Sequence, residues 1–378
     1  MSVVQIRKSM SVAAAIPLLI DVIIHPKALK VLKRRKVSKF IDNYKEFFFP
    51  LSDGFPDIAQ GSQQEEDVFQ RAHGNYPKPT LPPLADDDVT SLQFLAFNEI
   101  FEVAYFTDFL ANVTNNVTGY EIADQDLRDY VITTLQAIVA QEEVHALQAN
   151  AVLMSMDLEP IQACRYVFPV SNISDAFNFA STFTDVVMGT VQTIMKLLGR
   201  NNDTDYIPSV TARVSNEGEQ NGFFRYMNNK IPSSNPLLTG SAREFAWSSL
   251  NQMVVVNGSC PNSYLIDLQL YPALYVANPP SADSDQNQTI ELSTEAPVDC
   301  SYAVVYISQQ NMPLVVPIED LREDDGVSTF EATFPASLLQ YGGYGLIIFV
   351  LTNSTGPFKN VEAVVPNTVA GPYLFDKK

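Results

Sequence analysis

The sequence predicts a mainly α protein, a four-helix bundle, followed by a small all-β, sandwich-like module at the C-terminus. Three observations carry this reading. Between residues 88 and 260, apolar residues recur at steps of three and four over four long stretches. At about 255–285 the prolines Pro261, Pro272, Pro279 and Pro280 end that pattern. Beyond 290 the apolar runs are short, β-branched and aromatic, with turn residues between them. With 378 residues, 46% of them apolar, the chain is long enough for one sizeable core or two domains.

The first 40 residues form a basic and apolar leader. Met10–Ile24 is an apolar run behind Arg7 and Lys8, as in a signal or signal-anchor segment. Pro17 and Asp21 interrupt it, and it is short for a membrane span. The basic cluster Lys27–Lys39 reads as a solvated face or processed leader, with a membrane-surface patch as its alternative. Residues 41–87 read as an extended linker punctuated by Pro56, Pro77, Pro79, Pro82 and Pro83. Asp86-Asp87-Asp88 then place negative charge where a helix dipole favours it.

The bundle is expected over 88–260. Its helices are predicted at 88–111, 123–154, 173–198 and 207–229, with a shorter one at 241–253. A polar linker over 261–289 includes Ser281–Gln288. The β module, 290–378, carries the runs Tyr302–Ile307, Leu314–Pro317, Thr329–Phe334 and Tyr344–Leu351. Asp325-Gly326 and Gly342-Gly343 supply turns between them.

Charge divides the chain unevenly. Residues 1–40 hold nine Lys/Arg against the single acid Asp21, while the remainder holds 15 basic against 42 acidic residues. An acidic body excludes nucleic-acid binding, which requires a basic footprint, and attracts cations. No residue pattern specifies an oligomeric state.

The chemistry concentrates on the helical stripes. In the second helix Val131, Leu135, Ile138, Glu142, His145, Ala149 and Val152 share one face, so Glu142 and His145 point inward one turn apart. Bare burial of either costs several kcal/mol, and a metal, a counter-charge or a hydrogen-bond network must compensate. The first helix places Glu99 and Glu102 on its apolar face, and the fourth places Glu217 and Gln220 on its own, in the register of the Glu-x-x-His. Inward carboxylates from separate helices, joined by a helical Glu-x-x-His, are the arrangement of ferritin-like di-iron and di-manganese bundles. Such hard oxygen donors with an imidazole suit iron or manganese.

The expected metal ligands are therefore Glu99, Glu142, His145 and Glu217, with Glu102, Asp185 and Gln220 as secondary candidates. The third helix departs from the pattern. Thr184 stands where a bridging acid is wanted, and Asp185 falls on a more polar face as a solvated or capping acid. His145 is the one histidine of the bundle, because His25 and His73 lie in the leader and linker. Two Glu-x-x-His arms are excluded. A Gly-rich phosphate loop and a Gly-x-Ser-x-Gly elbow are both lacking.

Longer motifs extend this reading. Asn98–Glu102, Gln141–His145, 163–172 (ACRYVFPVSN), 183–192 (FTDVVMGTVQ), 216–233 (NEGEQNGFFRYMNNKIPS), 241–252 (SAREFAWSSLNQ) and 257–262 (NGSCPN) resemble the fungal members of the ferritin-like family. Those members are described as stress-response or late sexual development proteins. The resemblance covers about half the chain. It implies a ferritin-like bundle in a secreted, cell-wall or vesicular glycoprotein, and it implies no settled reaction. In the matching relatives a Thr-Asp likewise replaces the expected acid of the third helix.

Cysteines and sequons bear on the compartment. Asn112, Asn116, Asn172, Asn202, Asn257, Asn287 and Asn353 each open an Asn-x-Ser/Thr sequon. Cys164, Cys260 and Cys300 allow one disulfide with one thiol left over, in a pairing the spacing leaves open. Two functional readings follow. In one, a non-catalytic stress or cell-surface glycoprotein keeps the bundle with a degenerate site; Thr184 and Gln220 favour it. In the other, Glu99, Glu142, His145 and Glu217 hold iron or manganese in a metal-binding or redox protein.

Overall fold

The helices begin where the free N–H groups of a first turn are satisfied or faced by negative charge. In the computed structural model, which describes residues 45–77, 82–336 and 344–377, Ser62 caps α1 (Gln63–Ala72) by accepting from the Glu65 N–H. Helix α2 (Asp86–Thr114) opens instead on its three aspartates. Asp124 caps α3 (Gln125–Ser155) at 3.0 Å from the Leu127 nitrogen. Asn172 caps α4 (Ile173–Asn201) at 2.9 Å from that of Asp175. Pro208 lies in the first turn of α5 (Ile207–Met227), where its missing N–H costs nothing, and α6 (Arg243–Met253) follows. The leader expected at 1–40 lies outside the described residues.

Helices α2 to α5 form the bundle. Helix α2 is its axis, buried without a break from Ser91 to Phe106. A helix apolar on every side must be surrounded, and here rings do much of the surrounding. Phe101 meets Phe183 of α4 at 4.9 Å, and Phe106 stacks on Phe224 of α5 at 5.3 Å. Tyr105, deep among them, donates its hydroxyl to the Ala176 carbonyl at 2.7 Å. Among the described residues no helix is long and apolar enough to cross a membrane.

The segment 41–87, expected as an extended linker, carries α1. That helix packs on the outer face of α3 and buries Glu65, Val68 and Ala72. Its apolar stripe is too short to stand out among the polar residues of QQEEDVFQRA. The expected linker 261–289 is also structured. Ile266 and Tyr271 are buried in the bundle core, Tyr275–Val276 forms β1, and β2 (Gln288–Thr294) begins inside it.

Two antiparallel sheets follow. The expected runs become β3 (Ala303–Ser308), β4 (Leu314–Pro317), β6 (Val327–Phe334) and β7 (Gly345–Thr352). The reading missed β5 (Glu319–Asp324), a charged edge, and β8 (Thr368–Lys377), an edge strand broken by Gly371-Pro372. Edge positions tolerate both features because one side of the strand needs no ladder bonds. The sheets run β1-β2-β6-β5 and β4-β3-β7-β8.

Strands β3 and β7 are buried at every residue. Val304, Tyr306, Ile347, Phe349 and Leu351 face the other sheet, while Val305, Ile307, Leu346, Ile348 and Val350 join the core of the bundle. A strand covered on both faces reads as a continuous apolar run, which accounts for their sequences. The sandwich thus shares a core with the helices.

Cys164 pairs with Cys260, and Cys300 is free and exposed. The bridge ties the α3–α4 connection to the chain after α6, where Phe47, Tyr166 and Val255 form antiparallel bridges. It closes a loop across a sequence separation of 96 residues. In a chain-entropy account, Cys260→Ser lowers stability by about 4.7 kcal/mol. Chemical denaturation of the variant against the oxidised parent measures this, and an unchanged midpoint would contradict it.

Candidate metal centre

Glu99 and Glu102 come from α2, Glu142 and His145 from α3, and Glu217 from α5. The four carboxylates are all at most 2% exposed. Helical spacing places each pair one turn apart on the inward face, and packing brings the three helices together.

Donor atoms of Glu99, Glu142, His145 and Glu217 all lie within 4.8 Å of one another. The Nδ1 of His145 is at their centre: 2.8 Å from Glu142 Oε2, 3.4 Å from Glu99 Oε2 and 3.8 Å from Glu217 Oε1. One imidazole nitrogen carries one proton or one lone pair, so it serves a single carboxylate. Glu99 Oε2 and Glu217 Oε1 are buried without a hydrogen-bond partner among the described residues. His145 keeps 12% of its side chain exposed, so solvent reaches the edge of the cluster.

Arg213 enters the same cluster from α5. Its Nη1 donates to Glu99 Oε1 at 3.0 Å, and its Nη2 donates to the His145 carbonyl at 3.3 Å and Gln148 Oε1 at 3.1 Å. Gln220 donates through Nε2 to Glu142 Oε1 at 2.6 Å, and through the same nitrogen to Gln141 and Asn216.

These neighbours divide the acids by charge. Burial favours the neutral form of Glu99, but Arg213 and then His145 override it and hold the carboxyl near 2. Glu217 is driven well above the carboxylate range by burial, then by the Glu142 and Glu99 charges. Burial likewise raises Glu142, against the pull of His145. Burial also opposes charge on His145, yet Glu142 and Glu99 raise it to about 10. Glu102 is raised well above its usual range by burial, then by Glu217, Glu142 and Glu99, and both its oxygens lack a partner among the described residues.

The third-helix residues behave differently. Thr184 faces inward, fully buried, with its hydroxyl unpartnered among the described residues. Asp185, expected as a solvated or capping acid, is 3% exposed and is held away from the cluster. Asn221 Nδ2 donates to Asp185 Oδ1 at 2.8 Å. Burial and then Asp376 raise Asp185 to about 7, against Arg225. Arg225, itself 1% exposed, reaches Asp376 of β8, to which Lys230 also donates at 2.5 Å. Helix α4 thus directs its acid toward the sheet.

Sequence reasoning missed this node, and it missed Glu143. That residue is fully buried beside Arg71 of α1 at 3.0 Å, and burial raises it to about 8. The charge of Arg71 in an otherwise polar segment was the one available signal.

The donor set fits an ion. Three carboxylates and an imidazole are the hard ligands of iron or manganese, and the unpartnered oxygens face a common centre. Among the described residues His145 is the one histidine of the cluster. Residues 87–230 match the family described as Ferritin-like domain, and the fold of the bundle they form is ferritin-like. No curated protein matches the chain.

Two outcomes follow for the metal-free protein. Arg213→Ala leaves the buried Glu99 carboxylate without its guanidinium partner and costs about 3–5 kcal/mol, read as a fall in the urea midpoint. His145 has its folded-state pKa raised, so its stabilisation is complete below pH 6.5 and is lost as pH rises through about 10. A stability profile from pH 6 to 10 therefore falls less steeply in His145→Gln than in the parent. Parallel profiles would rule out a charged His145.

Proposed function

We propose that the ferritin-like bundle holds a first-row divalent metal, iron or manganese, on Glu99, Glu142, His145 and Glu217. We place it in a secreted or cell-surface glycoprotein that serves in stress or development. The carrying observation is the crowding of three carboxylate oxygens around His145 Nδ1 within 3.8 Å. A proton on that nitrogen serves one oxygen, whereas an ion serves all of them.

When bound, such an ion supplies one-electron redox chemistry toward dioxygen or a peroxide. The chain's own residues do the rest. Arg213 keeps Glu99 ionised and fixes its orientation, and Gln220 fixes Glu142.

The oxidising compartment is supported by the Cys164–Cys260 disulfide. It is also supported by the exposure of Asn116, Asn202, Asn257, Asn287 and Asn353. Asn112 and Asn172 are half-buried, and their amide nitrogens donate to Asp108 and Asp175. The resemblance of the bundle to fungal stress and sexual development proteins supports the biological setting.

Arg213 favours a second reading, a non-catalytic glycoprotein whose buried acids are balanced by Arg213 and a charged His145 without metal.

Elemental analysis after reconstitution with Mn²⁺ or Fe²⁺ decides between them. At least about one ion per chain, lost in Glu142→Ala/His145→Ala, supports the first reading, because removing ligands removes the ion. Retention no better than the double variant sinks it. Binding displaces protons from His145 and Glu217, so Mn²⁺ affinity rises between pH 6 and 9 by roughly tenfold per unit for each proton released. Glycopeptide mapping from a secretory host is expected to find glycans at the five exposed sequons and to find Asn112 and Asn172 bare.

A further inference from the structure

A narrow cavity of about 20 Å³ opens where α2, α4, α6 and β8 meet. Phe183, Val187 and Leu250 give it apolar walls, and each is buried. Thr182 and Met253 are its half-buried lining residues, so they mark the mouth. Asn98 of α2 also lines it and is 0% exposed, which puts its side chain at the floor. Neither the nitrogen nor the oxygen of that amide has a hydrogen-bond partner among the described residues.

The other polar groups of the lining are occupied. The Thr182 hydroxyl donates to the Asn178 carbonyl at 2.8 Å, and that of Ser249 to the Phe245 carbonyl at 2.9 Å. Glu102, one turn beyond Asn98, feels the amide dipole, which favours its charged form, but the two make no hydrogen bond. A buried amide without partners is destabilising, so a ligand that pairs with it gains what the fold forgoes. A buried water needs about two to four polar partners, and here one side chain faces apolar walls. A purely apolar molecule covers the walls and leaves the amide bare. The complement is an alkyl chain ending in one group that both donates and accepts. Glu99 follows Asn98 in the chain and is ionised against Arg213, so an anionic head is repelled. A cationic head has only the Asn98 carbonyl to accept from it.

We infer that this cavity binds a short-chain primary alcohol, its hydroxyl on Asn98 and its alkyl chain toward Thr182 and Met253. The hydroxyl donates to Asn98 Oδ1 and accepts from Nδ2, using both halves of the amide. The enclosed space holds the hydroxyl and the first carbons, and the rest of the chain lies along the mouth. This site makes no use of a bound ion and goes beyond the metal-binding reading.

Trp247 provides the readout. It is the one tryptophan of the chain, follows the lining residue Ala246, and packs on Phe97 at 4.8 Å. Titrating the full chain with 1-butanol is expected to change its emission saturably at roughly millimolar concentration, the range open to so small a ligand. Butyrate at the same pH is expected to give no saturable change. Asn98→Leu removes the amide at similar volume and is expected to weaken 1-butanol roughly tenfold. Thr182→Phe, at the half-buried mouth, is expected to abolish binding while leaving Asn98 in place. Without ligand, Asn98→Leu is expected to keep or raise the thermal midpoint, because no partner is lost. No saturable response in the parent, an equal response to butyrate, or undiminished binding in either variant overturns the inference. So does a lowered midpoint in ligand-free Asn98→Leu, which would show that the amide is paired within the fold.

Discussion

Four carboxylates from three helices are confined to one water-poor region of the bundle, and that confinement organises much of the structure around it. Glu99, Glu102, Glu142 and Glu217 cannot all be ionised there without positive charge, because each unpaired charge costs several kcal/mol to bury. Arg213 settles Glu99, and His145 divides its attraction between Glu142 and Glu99. Gln220 steadies Glu142 by a neutral hydrogen bond. Glu102 and Glu217 are left with oxygens that have no partner among the described residues. A region so arranged attracts protons or cations, and the choice between them links pH, stability and metal binding in one equilibrium.

The surroundings hold the three helices in register. Helix α1 lies outside α3 and pairs Arg71 with Glu143, the residue beside Glu142. On the far side α4 turns Asp185 toward Asn221 and toward the Arg225–Asp376–Lys230 group at β8. Strands β3 and β7 press one apolar face into the helical core. The acidic centre is therefore braced from a segment preceding the bundle and from a sheet following it. The exposed edge of His145 remains the side from which solvent approaches.

Much of the helical architecture was legible in the sequence. The stripes of α2, α3 and α5 placed Glu99, Glu102, Glu142, His145, Glu217 and Gln220 on inward faces, since a helix's faces follow from spacing alone. The charged edge β5 and the Gly-Pro-broken β8 were not legible. Nor was α1, ten residues long with only Val68, Phe69 and Ala72 apolar. Continuous apolar runs marked β3 and β7 as strands, but only the packed structure shows that one face of each belongs to the bundle.

The sequence by itself determined which residues share a helix face, that one histidine arm exists, and that the third helix lacks its acid at Thr184. These are local properties, set by the 3.6-residue repeat and by residue identity. Only the tertiary structure decided that Arg213 reaches Glu99 and that Asp185 turns to the sheet. It also decided that Cys164 rather than Cys300 pairs with Cys260, and that neither oxygen of Glu102 finds a partner among the described residues. Each of these depends on how far one element is rotated and displaced against another distant in the chain. That is fixed by the packing of whole surfaces, which no single stretch of sequence contains.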